Sequence, residues 1–373
     1  MISSSGRLSL REPNAIDFWR GLALVTIFVN HIPGNVFEQF TYSGYFLSDA
    51  AELFVFLAGW SLALATDARA VPEPPGRVVI RILSRTLEVY RMQIVIAVLA
   101  IAIIAAAAIH LRNPILLEWH NAAPFFSDPV QNTIGLVLLT YQLGYFNILP
   151  LYVVLLAIAP VFILLARFSR WLALALSAGV YGLSLIFEVN LPNWPNEGHW
   201  FFSPLAWQLL LVLGFLSSNW ARDSAAFRRW ARHLIPLGVL GAALGCASVL
   251  FDIKPDPYNV PEPRLLFLLD KSFLSPARLL EFLAVVLAFH RLYPLIERIT
   301  GRLVCPISQL GRNSLEVFAV GSILSLLAQI VRAAIQPSFI LDTILIGSGI
   351  LSLVFTAWFT EWRSRSSKPS LPR

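Results

Sequence analysis

Apolar stretches close to 20 residues long recur along the chain and alternate with short connections rich in Pro, Gly and Arg. A helix of about 20 apolar residues is long enough to cross a bilayer. The pattern predicts about ten membrane spans. Their approximate bounds are 16–33, 48–66, 92–110, 149–166, 171–188, 203–219, 233–251, 276–292, 313–332 and 340–362.

Composition agrees with this pattern. The chain has 373 residues, of which 57% are hydrophobic and 13% charged, and its mean hydropathy is +0.69. These values are typical of an all-α polytopic membrane protein rather than a soluble domain. The net charge of +6 would suit a nucleic-acid partner in a soluble protein. Its placement in the connections indicates the lipid bilayer instead, and no nucleic acid is expected as a partner.

The Lys and Arg residues gather in alternate connections. The chain carries 28 of them, and 22 fall in the N-terminus, the even-numbered connections and the tail. Six fall on the other side: Arg112, Lys254, Arg264, Lys271, Arg278 and Arg332. Basic residues favour the cytoplasmic side of membrane proteins. The distribution therefore predicts that both termini, including a basic tail at about 363–373, are cytoplasmic.

The segment 130–147 is only moderately apolar, and as an eleventh span it would destroy this charge bias. We expect a re-entrant or interfacial helix, whose irregular backbone must be buried in protein or line a cavity. Its polar side chains, Tyr141, Gln142, Tyr145 and Asn147, suit a cavity. No loop is long enough for a soluble domain, so 1–373 is predicted to form a single integral-membrane domain.

Arg20 and His31 are the most informative polar pair. They lie eleven residues apart in the apolar run RGLALVTIFVNH. Eleven residues of α-helix turn through about 1100° and rise roughly 16 Å, so both side chains share one helix face. Ionisable groups within a span are costly and usually face a polar interior or a substrate path. Since imidazole can act as a general base, the pair indicates chemistry inside the bilayer.

Carboxylates occur at the same predicted membrane level as His31. Asp49 and Glu52 open the second span, three residues apart and therefore on one helix face. A carboxylate near His31 would fix the tautomer of its imidazole and stabilise the imidazolium. The alternative is local, because Asp49 or Ser48 can cap the helix and Glu52 can complement its dipole.

Arginines mark the start of the third span. Arg77, Arg81 and Arg85 are spaced by four and share one helical stripe. Anchoring to anionic headgroups would explain the stripe. A binding site for a phosphorylated cytoplasmic ligand is the alternative, because guanidinium groups bind phosphate in a bidentate manner.

Aromatic and amide residues mark the loops on the far side of the predicted membrane. An interfacial aromatic belt is the default explanation. A sugar-binding surface also needs flat apolar faces with hydrogen-bonding edges, and the candidates for it are Tyr141, Asn147, Trp194, His199 and Trp200. The sequence shows no metal-ligand motif and no nucleophilic Ser or Cys motif.

Two consecutive segments, DFWRGLALVTIFVNHIPGN and FLSDAAELFVFLAGW, resemble the OpgC family within the wider acyltransferase-3 superfamily. Further resemblance lies in LLTYQLGYFNILPLYVVLL, FSPLAWQLL, SPARLLEFLAV and LGRNSLEVFAVGSILS, and it extends from about residue 14 to 330. The final span matches only in being apolar and then basic. The segment HLRNPILLEWHN shows no clear family motif.

The resemblance implies a ten-helix O-acyltransferase of the bacterial inner membrane. Such a protein moves an acyl group, succinyl in OpgC proteins, from cytoplasmic acyl-CoA to a periplasmic glucan. The acyl-CoA, expected to be succinyl-CoA, is a co-substrate, and no tightly bound cofactor is expected. By this likeness His31 is the catalytic His and Arg20 its paired motif Arg, while Arg77, Arg81 and Arg85 correspond to the donor site.

Two other classes stay open at this point. A transporter or flippase for a glycan or lipid would use the same polar cavity without a donor, and discontinuous helices with a midplane site would favour it. A non-catalytic membrane scaffold fits poorly with an Arg and a His inside one span.

The charge distribution generates the first testable prediction. In a background with Cys246 and Cys305 replaced by Ser, single cysteines at Asn196 and at Arg228 should react with an impermeant thiol reagent from opposite sides of the membrane, because the two loops lie on opposite sides of the predicted topology. Labelling of both positions from the same side would refute the arrangement.

Overall fold

The computed structural model describes residues 12–67 and 73–366. Five basic residues that entered the charge count, Arg7, Arg11, Arg69, Lys368 and Arg373, lie outside this part of the chain. Within it the regular structure is helical, apart from a single extended pairing between Pro192 and His199. The all-α prediction is confirmed.

Sixteen α-helices follow one another in the described residues. They are α1 (Ala15–Asn30), α2 (Ala50–Asp67), α3 (Pro75–His110), α4 (Ile115–Trp119), α5 (Ala123–Ser127), α6 (Pro129–Val137), α7 (Ile148–Phe168), α8 (Arg170–Ile186), α9 (Pro204–Asp223), α10 (Ala225–His233), α11 (Ile235–Leu250), α12 (Pro276–Phe289), α13 (Tyr293–Thr300), α14 (Val304–Arg312), α15 (Ser314–Ala334) and α16 (Phe339–Ser366).

Four of these helices, α3, α7, α15 and α16, are long and apolar enough to cross a membrane. Two more spans arise if α10 with α11, bent by 49°, and α12 with the helices that follow it, bent by 54°, each count as one. The described residues thus hold four to six candidate spans, and the ten predicted spans are not supported. Cytoplasmic termini are likewise not supported and stay a prediction.

Helix length explains much of the difference. Several apolar stretches predicted as spans form shorter helices, since α1 has 16 residues, α8 has 17 and the apolar part of α2 runs only from Ala50 to Thr66. A helix of 16 residues measures about 24 Å, less than the roughly 30 Å of the hydrocarbon core. Apolar run length alone does not reveal where a helix breaks or bends.

The segment 130–147, predicted not to be a span, contains only the nine-residue helix α6 followed by irregular backbone. Asp128 caps α6 by accepting a hydrogen bond from the Gln131 amide at 3.3 Å. After α6 the backbone turns twice through the left-handed region, at Leu139 (φ 64°) and Tyr145 (φ 66°). This irregular stretch carries residues towards the candidate site.

Two pairs of glycines allow helices to approach until their backbones touch. A Cβ atom at Gly59 of α2 would overlap the Leu211 carbonyl of α9, and one at Gly214 of α9 would overlap the Phe56 carbonyl of α2. Gly21 of α1 and Gly311 of α14 form the same reciprocal arrangement. Small residues at helix crossings are how membrane helices gain close packing. These two crossings fix α1 and α2, the helices that flank the candidate site.

The α2–α9 crossing generates a stability prediction. Gly59→Ala should lower the free energy of unfolding by about 1–3 kcal/mol, because the added methyl must push two helix backbones apart. Reversible unfolding in mixed detergent–SDS micelles measures the change. Gly179→Ala in α8 is the matched control, since no atom lies within 4 Å of the position its Cβ would take. Equal stability of both variants would contradict close packing at Gly59.

Candidate active site

His31 is the first residue after α1, and its backbone is held on both sides. Its amide donates to the Ile27 carbonyl at 2.9 Å, and its carbonyl accepts from Gln329 Nε2 of α15 at 2.5 Å. The Asn35 side chain donates to the carbonyls of Val29 and Ile32 at 2.9 and 2.7 Å. The turn that carries the imidazole is therefore well ordered.

A buried ion pair fastens the chain after His31 to the last two helices. Arg332 of α15 pairs with Asp342 of α16. Arg332 also donates to the Gly34 carbonyl at 2.8 Å, and Asp342 accepts from the Val36 amide at 3.0 Å. The sequence did not predict this clamp, which joins residues some 300 positions apart.

The His31 imidazole is half-buried and lines a cavity of about 430 Å³, called the His31 cavity below. Its ring centre lies 5.2 Å from that of Tyr145. Within the described residues no side chain or backbone group makes a hydrogen bond to the ring. The other lining residues are Ile27, Asn30, Asp49, Ala50, Ala51, Gly144, Tyr145, Asn147, Ile148, Phe201, Phe202 and Lys271. Both imidazole nitrogens are thus available to a ligand.

Asp49 lies in the His31 cavity, as predicted, but its carboxylate is already engaged. It forms an ion pair with Lys271 and accepts a hydrogen bond from the Ala51 amide at 2.8 Å. The second contact is the helix cap that the sequence left open as an alternative. Asp49 interacts electrostatically with His31 and makes no hydrogen bond to it.

Glu52 does not line the cavity. It is fully buried, and its Oε1 atom accepts two hydrogen bonds from Arg278, at 3.1 and 2.6 Å. Its Oε2 atom accepts from the Asp49 amide at 3.0 Å. Next to this pair, Glu281 accepts from the Ser48 amide at 3.0 Å. The geometry assigns Glu52 to holding α2 against α12, and it offers no contact with His31.

A second cavity, of about 450 Å³, adjoins the first and is called the polar cavity below. The two share Gly144, Asn147 and Phe201 as lining residues. The polar cavity is otherwise lined mainly by hydrogen-bonding side chains: Asn121, Gln142, Asn190, Asn193, His199, Trp200, Asp270 and Ser272, with Leu143 and Phe273. A polar ligand here would lie next to His31.

Three of the five residues predicted to bind an acceptor lie at these cavities: Asn147 at both, and His199 and Trp200 at the polar cavity. The Trp200 side chain is 3% exposed. Its indole N–H and the Asn193 carboxamide oxygen have no hydrogen-bond partner in the described part of the chain. A buried donor and acceptor that line a cavity are suited to a ligand with hydroxyl groups.

The other two predicted acceptor residues, Tyr141 and Trp194, do not line either cavity. Tyr141 is buried, and its hydroxyl donates to the Asn121 carbonyl at 2.5 Å, which supports the loop at the polar cavity. Trp194 is 40% exposed. The Trp194 carbonyl packs closely against Gly135 of α6, so the backbone of Trp194 takes part in packing the loop against this helix.

His120 is a buried histidine that the sequence did not single out. Its ring centre lies 6.2 Å from that of Tyr145, whose other neighbour is His31. Burial lowers the pKa of the His120 imidazole, which is therefore neutral at neutral pH. The backbone carbonyl of His120 accepts from the Gly144 amide at 2.9 Å, which places the Gly144–Tyr145 turn beside the cavity.

Arg20 lies within α1, and its guanidinium donates to the Ser314 hydroxyl at the start of α15. It interacts electrostatically with Arg85 of α3. Along the helix Arg20 is roughly 16 Å from His31. Arg20 and His31 therefore lie at different depths of the bundle, and Arg20 lies at the depth of the predicted arginine stripe.

The arginine stripe on α3 is partly paired with acidic groups. Arg77 is exposed, Arg81 donates to Glu73 at 2.9 Å, and Arg85 pairs with Glu88 at 2.7 Å. The Glu73 carbonyl also accepts from Arg167 at 2.8 Å. At this end a third cavity, of about 310 Å³, is lined by Arg167, Arg170 and Arg222 among others. Positive charge at this end thus extends beyond the stripe.

Sequence reasoning missed Lys271, Arg278 and Arg332 as parts of the site. The signal that existed was their position among the six basic residues on the side where few were expected. Each of the three pairs with a carboxylate that is buried or partly buried: Asp49, Glu52 and Asp342 respectively. Basic residues that depart from the positive-inside bias were therefore candidates for buried ion pairs.

In the described part of the chain no group of three or more His, Cys, Asp or Glu residues is placed to hold a metal ion.

No curated protein shows a significant match to the chain. A family model, described as OpgC protein, matches residues 11–365. Membership of this family suggests a membrane acyltransferase-like role. The match covers nearly the whole sequence, and the chain therefore belongs to the OpgC protein family.

Proposed function

We propose that the protein is an integral-membrane O-acyltransferase that moves a succinyl group from cytoplasmic acyl-CoA to a hydroxyl of a periplasmic glucan. Family membership supports a transferase of this general kind. The observation that carries the proposal is the position of His31, whose imidazole has no hydrogen-bond partner in the described residues and lines a cavity adjoining the polar cavity.

The donor is proposed to enter from the end of the bundle that carries the arginines. Arg77, Arg81 and Arg85 would contact its phosphates, with the Glu73 and Glu88 carboxylates displaced or shared. Arg20 lies at the level of Arg85, roughly 16 Å below His31. A donor whose phosphates lie near Arg20 would extend its pantetheine arm along α1 towards His31.

The acceptor is proposed to occupy the polar cavity. Asn147, His199 and Trp200 would contact the glucan, and Asn147 also lines the His31 cavity. Amide side chains match the hydroxyl groups of a sugar, and the Trp200 indole N–H has no protein partner to lose among the described residues. One sugar hydroxyl would then reach His31.

The reaction follows from this arrangement. His31 accepts the proton of the glucan hydroxyl while the hydroxyl oxygen attacks the thioester carbonyl carbon. The carbon–sulfur bond then breaks, and the leaving thiolate takes up the proton from the imidazolium. Asp49 lies within electrostatic range of the imidazolium, but its charge is paired with that of Lys271. Glu52 would act only by holding the start of α2.

The proposed function also requires a particular arrangement of the chain in the membrane. The chain would cross the bacterial inner membrane several times, as a single domain over 1–373 and with both termini in the cytoplasm, as the distribution of basic residues predicts. The exposed apolar side chains of α3 and α16 support contact with lipid along these helices. The arginine-rich end would then face the cytoplasm and the polar cavity the periplasm.

A transporter or flippase is the alternative. It would use the same polar cavity, and the bent helix pairs are compatible with it. Family membership does not favour it. The two functions differ in a direct observation, because only the transferase consumes acyl-CoA.

His31→Ala provides the test of the proposed function. Purified protein in detergent, supplied with succinyl-CoA and a periplasmic glucan, should transfer succinate, and the variant should be slower by about 10²–10⁴-fold because it lacks the general base. The matched control is His110→Ala, which replaces an exposed histidine at the end of α3.

Thermal melting should show that both variants fold. A folded His31→Ala protein with near-normal turnover would contradict the role of His31. Absence of any acyl transfer by the wild-type protein, together with movement of glucan across vesicles, would favour the transporter.

A further inference from the structure

Arg20 cannot supply the positive charge that acyl transfer needs at His31. Attack on a thioester places negative charge on the carbonyl oxygen, and enzymes stabilise that oxygen with donors fixed in advance. Arg20 is roughly 16 Å from His31 along α1, and its guanidinium is engaged with Ser314 of α15. A single side chain does not bridge that distance. The donor has to be sought among the residues of the His31 cavity.

Among the described residues that line the His31 cavity, Lys271 is the one with a cationic side chain. It pairs with Asp49, and its Nζ atom lies over the rings of Phe201 and Phe202, 5.8 and 5.7 Å from their centres. Its side chain is one-third exposed, at 33%. An ammonium group has three N–H donors, so the contact with Asp49 leaves donors for a ligand in the cavity.

The backbone around Lys271 is fixed by buried donors. The Trp207 indole N–H lies 3.2 Å from the carbonyl oxygens of both Lys271 and Ser272. The Ser203 amide donates to the Ser272 carbonyl at 2.9 Å, and the Tyr181 hydroxyl donates to the Leu274 carbonyl at 2.8 Å. Donors held in place before the reaction avoid reorganisation during it. The segment is therefore built to hold one side chain at the cavity.

We infer that Lys271 is a catalytic residue whose ammonium group donates a hydrogen bond to the thioester carbonyl oxygen as that oxygen becomes an oxyanion. The inference rests on the proposed function and adds the electrophilic half of the site to the base, His31. When the hydroxyl oxygen attacks, the carbonyl π electrons move to the oxygen facing Lys271. They return when the carbon–sulfur bond breaks, and Lys271 keeps its protons throughout.

Asp49 then has a role that differs from the one predicted from sequence. Its carboxylate fixes the ammonium group, while its own second oxygen is fixed by the Ala51 amide. Asp49 is thus a positioning residue for Lys271. The ion pair also explains how a lysine is tolerated in a cavity lined largely by apolar and aromatic groups.

The experiment is a double-mutant cycle read by kcat, KM and donor affinity. Lys271→Met should lower kcat by about 10²–10³-fold, as loss of an oxyanion donor does elsewhere, and should leave the dissociation constant for succinyl-CoA nearly unchanged. A smaller but measurable fall in kcat should remain when Lys271→Met is added to Asp49→Asn, because Asp49→Asn removes the group that positions Lys271 and residues in contact do not act additively. In the Asp49→Asn background, loss of Lys271 leaves no carboxylate unpaired at this position. The inference can therefore be tested there even if Lys271→Met alone folds poorly. Lys254→Met is the control, because Lys254 is 66% exposed near the other end of the same connection between α11 and α12.

Two results would overturn the inference while wild-type activity is intact. If Lys271→Met changes nothing in the Asp49→Asn background, Lys271 serves only to neutralise Asp49. If Lys271→Met weakens binding of succinyl-CoA but not of acetyl-CoA, with kcat retained, Lys271 binds the free carboxylate of the acyl group instead. A wild-type protein that transfers no acyl group would overturn the proposed function, and this inference with it.

Discussion

Charges inside an apolar bundle have to be paired. At one end of this protein, two ion pairs and a hydrogen bond join the start of α2 to α12 and to the segment that precedes α12. Asp49 pairs with Lys271, Glu52 with Arg278, and Glu281 accepts from the Ser48 amide. Removing one partner of such a buried pair typically costs about 3–5 kcal/mol. The pairs therefore fix the position of two chain segments that are more than 200 residues apart in sequence.

The candidate site depends on that constraint. The turn after α1 is held separately, by Gln329 and by the Arg332–Asp342 clamp, and His31 lines the same cavity as the start of α2. Lys271 is held at this cavity by the same ion pair that orders Asp49. The polar cavity adjoins this space because Asn147 and Gly144 line both. The buried charges thus bring His31, Lys271 and the neighbouring polar cavity together around one volume.

The sequence predicted local features well. Moderate hydropathy with polar residues separated 130–147 from the spans, and this segment holds only the short helix α6 before irregular backbone. The shared helix face of Arg20 and His31 stays a prediction. Asn147, His199 and Trp200, which were predicted as sugar-binding residues, line the cavities, and their binding of a sugar stays a prediction. The sequence could not predict the partners of Asp49 and Glu52, which lie 222 and 226 positions away. Nor could composition separate Tyr141 and Trp194, which support loops, from aromatic residues that line a cavity. The ten predicted spans are not supported, since an apolar run does not show where its helix begins and ends, and α1 and α8 are short.

The central claim is that a donor from one side and an acceptor from the other meet between His31 and Lys271. A structure of the protein bound to a non-hydrolysable succinyl-CoA analogue, with a ketone in place of the thioester, tests it most directly. The account predicts the ketone oxygen about 2.7–3.1 Å from the Lys271 Nζ atom. It also predicts the carbonyl carbon beside the His31 imidazole, and phosphates near Arg20 and the α3 arginines. A carbonyl group bound outside the His31 cavity would contradict the account.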